Sequence, residues 1–423
     1  MASPPDCPNG VSCAIVPSVN PEMLPGGTIT SPRGFLAGAT YIGLKTHGED
    51  LLDLGILYSE APCVAAGVFT RNRVKAAPVR LCQRHLENGR AQAIVVNSGC
   101  ANACTGDQGT ADAEEMALLA AKNLGLSQQD VLVASTGVIG KALPMGRVRA
   151  GIGLVTVSRE CGHDLARAIV TTDTFPKEVA VRVSLGPGEG DITIGGIAKG
   201  AGMIHPDVAT LLCFIATDAA VSPAFLRSAL KRAVDASFNM VTVDGDTSPN
   251  DSVMVLANGL AGNRVIRSGG PGAEKFEKGL QEVCLFLAKS IARDGEGATR
   301  LIEVTVEGAL TTAQARRAAR TVAGSSLVKA AVHGADPNWG RVIAAVGRSG
   351  AEMAESKVDL YLDDLCLMKA GRPLLFARER ARAILFRSEV PIRVSLNIGE
   401  ATATAWGCDL SEEYVTINSE YTT

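Results

Sequence analysis

The sequence AKGAGMIHPDVATLL (Ala198–Leu212) lies almost at the midpoint of the 423 residues. It begins with a flexible, Gly-rich turn, and Pro206 and Asp207 follow before Thr210. From Thr210 the residues are apolar and typical of a β-strand, so the stretch predicts a loop that enters a buried strand. Cleavage of the Ala209–Thr210 bond would give Thr210 a free α-amine that could accept the proton of its own hydroxyl group. The pattern suggests a chain that cleaves itself and uses the new N-terminus as a nucleophile.

Local spacing leaves a second explanation open for Thr210. The residues LLCFI follow it, and a Thr in front of such an apolar run is usually packed inside a strand. A hydroxyl group is also inert unless a base takes its proton. The nucleophile hypothesis therefore depends on what other parts of the chain bring to Thr210.

Composition argues against several classes of partner. Of the residues, 46% are hydrophobic and 20% are charged, which is enough for one large core or two ordinary ones. The net charge of −3 argues against nucleic acids and anionic membranes, and no stretch reaches the roughly 18 uncharged apolar residues of a membrane span. The first residues, MASPPDCP, lack the basic and apolar regions of a signal peptide. We therefore expect a cytoplasmic protein.

The cysteines do not indicate a metal site. The chain has 11 of them, scattered from Cys7 to Cys408 without a CxxC pair. Cys100 and Cys104 are the nearest to a ligand pair, and no His lies near them in sequence. These spacings differ from those of zinc sites, so we expect buried, reduced thiols and no metal.

Strands and helices are interspersed along the chain, and several strands have short connections. This order predicts an α/β chain of the α+β type, with mixed or antiparallel sheets sandwiched by helices. Apolar spacing and capping residues predict helices over Thr110–Leu124, Gly153–Ala168, Ser222–Ala236, Ala273–Ala292 and Thr312–Val322. Apolar runs predict strands over Ala93–Asn97, Val131–Ala134, Leu211–Ala216, Leu301–Val306, Ile392–Leu396 and Tyr414–Ile417.

A candidate oxyanion hole follows one of these strands. The turn Ser135-Thr136-Gly137 comes directly after Val131–Ala134. Glycine lets the backbone approach a ligand with its N–H pointing outward, and the Thr hydroxyl supplies a second donor. Two such donors could hold the negative oxygen of a tetrahedral intermediate. The alternative is an ordinary turn between a strand and a loop.

Two charged residues on Gly-rich loops are candidates for substrate binding. Lys199 precedes Thr210 in a flexible loop and would suit an anionic group such as a carboxylate. Glu296 has glycine on both sides and could reach a cationic amine. The alternatives are a solvated lysine and a turn stabilised by its own acidic side chains. The acidic turn Val243–Asp251 lacks the spacing of a Ca²⁺ loop.

Taken together, these segments closely resemble the ornithine acetyltransferase family, also called the arginine biosynthesis bifunctional protein family. They run in the family's order from about residue 27 to the C-terminus. The matching segments are Asn97–Gly106, Ser135–Gly140, Thr171–Thr174, Lys199–Ile204, Ala209–Leu212, Asp244–Thr247, Asp294–Thr299, Asp336–Arg341 and Tyr421–Thr423.

The resemblance implies an enzyme that moves acetyl from N2-acetylornithine to L-glutamate, with no metal or redox cofactor. Some members also use acetyl-CoA as a donor. The family precursor cleaves itself at the bond matching Ala209–Thr210, which implies an α chain of 1–209 and a β chain of 210–423. The two chains form an α2β2 heterotetramer. The implied fold has two intertwined subdomains with the active site between them.

The resemblance also assigns roles to individual residues. Thr210 matches the nucleophile, and Thr136 and Gly137 match the oxyanion hole. The positions that contact substrate in the family are matched by Thr172, Lys199, Thr210, Glu296, Asn418 and Thr423. Thr171 and Thr174 flank Thr172, so the choice among these three stays open. The chain departs from the family at Cys100 and at Asp207-Val208, and neither departure removes a catalytic group.

Two other functions remain as alternatives. A related self-processed aminopeptidase or amidase would use water in place of glutamate as the acyl acceptor. A non-catalytic protein that binds amino acids would leave Thr210 as an ordinary strand residue in an uncleaved chain. The sequence does not decide whether acetyl-CoA is a donor, whether the enzyme is inhibited by its end products, or how many copies assemble.

Overall fold

The computed structural model describes residues 21–45, 52–205 and 211–420. The strands are β1 (Glu22–Met23), β2 (Phe35–Thr40), β3 (Leu54–Phe69), β4 (Arg90–Asn97), β5 (Val131–Ser135), β6 (Lys177–Ser184), β7 (Asp191–Lys199), β8 (Leu212–Thr217), β9 (Val241–Thr242), β10 (Ser252–Ala257), β11 (Leu301–Ala309), β12 (Asp359–Leu362), β13 (Leu365–Lys369), β14 (Arg372–Pro373), β15 (Glu389–Ser395) and β16 (Ala401–Cys408). The helices are α1 (Ala77–His85), α2 (Gly106–Leu124), α3 (Met145–Ile152), α4 (Gly162–Ile169), α5 (Pro223–Ala236), α6 (Ala273–Arg293), α7 (Thr312–Ala323), α8 (Ser326–His333), α9 (Trp339–Gly347), α10 (Arg378–Leu385) and α11 (Glu412–Glu420).

The first sheet has the strand order β1-β6-β7-β8-β10-β3-β4-β5, and β2 pairs with β3 beside this path. Its central strand, β8, is buried along its whole length, which explains its continuous apolar run. β8 is antiparallel to β7 and parallel to β10. The sheet is therefore mixed, as the sequence predicted.

The second sheet has the order β14-β13-β12-β15-β11-β16-β9. Helix α6 packs against β6 and β7 of the first sheet and also against β9 and β16 of the second. The helical spacing predicted for this segment is confirmed, since its apolar face is buried at Phe276, Leu280, Val283, Leu287 and Ile291. The two sheets thus share one helical layer.

One hydrophobic core runs through both sheets. It contains Ile215 of β8, Leu280 of α6 and Val304 of β11 in a single cluster. The predicted fold class, mixed sheets sandwiched by helices, is confirmed. The loops that lead out of β5, β7 and α6 contact one another, and they carry the candidate site residues.

Two predicted elements were wrong. Gly153–Ala168 is not one helix, because α3 ends at Ile152 and α4 begins at Gly162. Ser158, between them, forms an isolated β-bridge with Ala37 of β2, and β-branched residues such as Val155 favour that extended backbone.

Tyr414–Ile417 is helical rather than a strand, since it lies inside α11. The apolar and β-branched residues were the basis for the strand prediction. The acidic Glu412 and Glu413 occupy the first turn of the helix, where they complement the positive end of its dipole. Within the described ranges, no helix combines the length and the hydropathy that a membrane span requires.

Candidate active site

The connection between β7 and β8 carries the predicted cleavage site. Lys199 ends β7, Leu212 begins β8, and the two residues are Cα partners in the antiparallel pair. The predicted cleavage site therefore lies in the connection between two neighbouring strands of the sheet. Ala209 and Thr210 lie outside the described residues, and so does Thr423, but Leu211 is described and is buried.

Thr136 and Gly137 form the turn that follows β5. Gly137 has a φ of +128°, a backbone conformation that L side chains rarely adopt. A Cβ atom at this position would lie 2.6 Å from the backbone nitrogen of Cys100, so only glycine fits. Among the residues that the structure describes, no acceptor takes the Gly137 N–H. That donor is free to serve a ligand.

Lys199 lies directly beside this turn. Its Nζ donates to Thr136 Oγ1 over 3.3 Å, and only 4% of the Lys199 surface is exposed. Because the Thr136 oxygen accepts from Lys199, the Thr136 hydroxyl proton can point towards another group. Burial lowers the pKa of Lys199, while the neighbouring carboxylates Asp173 and Glu296 act to raise it. A substrate carboxylate would favour the charged form in the same way.

Glu296 lies on the other side of the same bend. Its backbone N–H donates to Ala201 over 2.9 Å, and a Cβ on Gly202 would collide with the Glu296 carboxylate. Asn418 on α11 donates through Nδ2 to Glu296 Oε2 at 2.8 Å. The structure therefore brings Thr136, Lys199, Glu296 and Asn418 together around the 199–202 bend, which precedes the predicted cleavage site.

Comparison with known proteins identifies the family. A model described as the ArgJ family matches residues 36–423. The chain belongs to the ArgJ family. A relative from Symbiobacterium thermophilum is 55% identical over 404 residues, which cover 95% of this chain and 100% of the relative. A relative from Dehalococcoides mccartyi is 53% identical over 403 residues, covering 95% and 99%. Both relatives are called arginine biosynthesis bifunctional protein ArgJ, so the family predicted from the ordered motifs is confirmed.

Solved structures of ArgJ proteins also match. The argJ protein of Bacillus halodurans is 46% identical, with 48% of this chain and 96% of that chain covered and a TM-score of 0.48. The ornithine acetyltransferase of Mycobacterium tuberculosis, solved with ornithine, is 41% identical, with 46% and 100% covered and a TM-score of 0.41. The family assignment rests on the sequence matches, which cover residues 36–423 for the family model and 95% of the chain for the two relatives.

The sequence analysis missed a buried ion-pair network that supports the site of this ArgJ protein. The Lys177 ammonium, which has no exposed surface, donates to Asp173 at 2.7 Å and to Asp294 at 2.5 Å. Asp173 also accepts the Gly200 N–H at 2.6 Å. Burial alone would raise the pKa of Asp173, but Lys177, Lys199 and the Gly200 N–H together hold it below its ordinary value.

The Thr171–Thr174 turn is fixed by this network. Thr174 donates to Asp294 through both its N–H and its hydroxyl group, and the Thr171 N–H donates to Asp173 Oδ2 at 3.1 Å. In the described part of the chain, Thr172 has no recorded side-chain hydrogen bond and is half-buried. Thr174 is already engaged with Asp294, which leaves Thr171 and Thr172 as the candidates for substrate contact, and the role of Thr172 stays a prediction.

A second missed feature is the dipeptide Asn250-Asp251, which lies directly before β10. Both side chains are buried, and burial raises the pKa of Asp251 well above its ordinary value. The sequence analysis treated these residues as part of an acidic turn. A carboxylate and an amide directly before a mostly apolar strand were the available signal, since polar groups rarely enter a core without a partner.

Proposed function

We propose that this chain is the glutamate N-acetyltransferase of arginine biosynthesis, which transfers acetyl from N2-acetylornithine to L-glutamate. The observation that carries the proposal is the contact between the buried Lys199 ammonium and Thr136. It supports the proposal because both substrates carry an α-carboxylate that needs a cation close to where the acetyl carbonyl is held. The ArgJ relatives at 55% and 53% identity support the same activity.

The enzyme first matures by cleaving itself. The Thr210 hydroxyl attacks the Ala209 carbonyl, and the resulting ester hydrolyses to give chains 1–209 and 210–423. The sheet order supports continued association of these chains. β8 and β10 of the second chain lie between β7 and β3 of the first, so separation would break ladders on both sides of the central strands. Two copies of each chain form the α2β2 assembly that we propose.

Acetyl transfer then follows from the new N-terminus. The Thr210 α-amine accepts the proton of its hydroxyl group, and Thr210 Oγ attacks the acetyl carbonyl of acetylornithine. The Thr136 hydroxyl and the Gly137 N–H stabilise the oxyanion, and ornithine leaves with the proton. The acetyl group remains on Thr210 until the amine of glutamate attacks it. Because one pocket receives both amino acids in turn, we expect ping-pong kinetics.

The remaining predicted residues hold the substrates. Lys199 pairs with the α-carboxylate, and Glu296, held by Asn418, receives the cationic side chain of ornithine. Thr172 and Thr423 complete the pocket. Each step uses only the chain's own groups, so the proposed reaction needs no metal or redox cofactor. The described cysteines are free thiols, which agrees with a cytoplasmic location.

Thr210→Ala tests maturation and catalysis together. We expect this variant to stay a single band on a denaturing gel and to lose acetyl transfer, because both steps use the Thr210 hydroxyl. Wild-type protein should show two bands near half of its mass. Thr210→Ser is the matched control, since it keeps a hydroxyl group and should retain both steps. Full transfer by Thr210→Ala would disprove the proposed nucleophile.

The fate of labelled acetyl separates this function from its alternatives. With acetylornithine as donor, the label should appear on glutamate. Release of all the label as acetate would indicate an aminopeptidase or amidase instead, and an intact, inactive wild-type chain would indicate a binding protein. Supplying acetyl-CoA as the sole donor decides whether the enzyme is bifunctional, as the relatives' name states.

A further inference from the structure

Asn250 connects the second half of the chain to the oxyanion turn. Its Nδ2 donates to the carbonyl oxygens of Ala101 at 2.6 Å and Ser135 at 2.8 Å, and the amide is buried. Ser135 immediately precedes Thr136 and Gly137, so Asn250 fixes the peptide from which the turn departs. The Asn250 N–H is in turn held by the Ser248 hydroxyl at 3.0 Å.

The next residue, Asp251, contacts the residue that follows the proposed nucleophile. Asp251 Oδ1 accepts the Leu211 N–H at 3.2 Å. That nitrogen forms the peptide bond with the carbonyl carbon of Thr210, so the carboxyl group acts on the amide adjoining the proposed nucleophile. The following residue, Ser252, donates its N–H to the Leu211 carbonyl at 3.0 Å. Leu211 is therefore held on both sides by consecutive residues.

We infer that Asn250 and Asp251 are a positioning pair that sets the distance between the nucleophile and the oxyanion hole. This inference rests on the proposed function. The oxyanion turn and Leu211 come from parts of the chain that are far apart in sequence. Asn250 contacts the turn and the next residue, Asp251, contacts Leu211. Covalent bonds between Asn250 and Asp251 limit how far the turn and the Leu211 amide can separate. A misplacement of about 1 Å between reacting groups costs roughly 100-fold in rate, so such a link affects kcat directly.

The environment of Asp251 supports this role. Its second oxygen, Oδ2, is buried and has no hydrogen-bond partner among the described residues, an arrangement that cores generally avoid. Lys199, Thr70 and Ser248 lie near the carboxyl group and act to lower its pKa, yet burial outweighs them. The amide oxygen of an asparagine could accept the Leu211 N–H as Asp251 Oδ1 does, so an asparagine should replace Asp251 well.

Three variants test the inference. Asn250→Asp keeps the size of the side chain but removes both donors, whereas Asp251→Asn keeps the acceptor for Leu211. We expect Asn250→Asp to lower kcat per cleaved chain by about 100-fold with KM changed by less than about threefold, and Asp251→Asn to stay within about fivefold of wild type. Asp251→Ala should resemble Asn250→Asp. Self-cleavage, followed on a denaturing gel, should be slowed strongly in Asn250→Asp and Asp251→Ala and little in Asp251→Asn, because we expect it to use the same nucleophile and oxyanion turn.

Buried residues of the same type elsewhere provide the controls. Asn263 donates through Nδ2 to the carbonyls of Ala220 and Arg264, and Asp218 accepts the N–H groups of Thr193 and Arg33. Asn263→Ala and Asp218→Ala should lower the melting temperature while leaving kcat of the cleaved enzyme unchanged. A loss of kcat in Asn250→Asp no greater than in these controls would overturn the inference. So would an Asp251→Asn variant as impaired as Asp251→Ala.

The result also separates this inference from the proposed function. If wild-type protein transfers acetyl and Thr210→Ala does not, the function stands whatever the positioning variants show. If wild-type protein transfers no acetyl, the function fails before the pair is examined. Active wild-type protein with unimpaired Asn250→Asp overturns the positioning role alone.

Discussion

The charges around the candidate site and those on the second sheet are stabilised in opposite ways. At the site, the Lys177 ammonium lies between Asp173 and Asp294 with no exposed surface. On the second sheet, Arg387 pairs with Asp363 at 2.7 Å while 56% and 38% of the two side chains stay exposed. Buried ion pairs carry a desolvation penalty that surface pairs avoid. The buried network joins the 173–177, 199–202 and 294–296 segments by direct contacts, whereas the surface pair joins only its own two residues.

Lys177→Met should produce the largest effect. The substitution leaves the buried carboxylates of Asp173 and Asp294 without their shared cation, and breaking such a pair costs about 3–5 kcal/mol. We expect a large fall in the midpoint of urea unfolding, monitored by circular dichroism. Arg387→Gln on the second sheet is the control, with an expected loss of about 0–1 kcal/mol. Equal midpoints for Lys177→Met and Arg387→Gln would show that the buried and the exposed ion pairs contribute equally to stability.

Gly137→Ala should abolish most activity with a smaller effect on stability. The added methyl group would approach the Cys100 nitrogen to 2.6 Å, at a φ of +128° that alanine resists, so the turn must shift. Losing one oxyanion donor costs about 10²–10³-fold in kcat, measured here by acetyl transfer to glutamate.

Gly140→Ala is the matched control for that prediction. Gly140 also has a positive φ, +79°, but a Cβ there meets no atom within 4 Å. We expect kcat within a few-fold of wild type. If both variants lose activity equally, backbone strain in this loop, rather than the oxyanion donor, explains the loss.

Asp173→Asn should give the smallest of the three effects, and one that depends on pH. Lys177 keeps Asp294, and the amide oxygen still accepts the Gly200 N–H, so we expect a loss of about 2–3 kcal/mol at pH 7. The folded protein holds the pKa of Asp173 below its ordinary value. The stabilisation is therefore present above the unfolded pKa of about 3.9 and is lost as the pH falls through the folded value.

Urea midpoints at several pH values check this prediction. The gap between wild type and Asp173→Asn should be constant from about pH 5 to pH 7 and should narrow below about pH 4. Asp363→Asn on the second sheet should show a small gap throughout, because its partner Arg387 stays in water. A gap for Asp173→Asn that widens in acid would contradict the assigned direction of the pKa shift.

Much of the candidate site could be predicted because its motifs are short and local. Ser135-Thr136-Gly137 follows a predicted apolar strand, as the structure confirms. Lys199 was predicted in a flexible loop, whereas the structure makes it the buried last residue of β7. Their meaning came from the ordered set of motifs and not from any one of them. The strand predicted over Tyr414–Ile417 was wrong because this prediction used only the residues of that segment. β-branched residues also occur in helices when the flanking residues favour a helix start.

The sequence by itself determined the family, the mixed α/β architecture and the residues to examine, because these depend on local patterns along the chain. Only the tertiary structure decided which of those residues meet. Lys177 and Asp294 are 117 positions apart yet form an ion pair, and Asn250 reaches Ser135 across 115 positions. Such contacts depend on how strands and helices that are distant in sequence pack against one another. Burial then determines how much these contacts contribute to stability. A carboxylate is well solvated in water, but in a core it loses that solvation and destabilises the fold unless a partner is present.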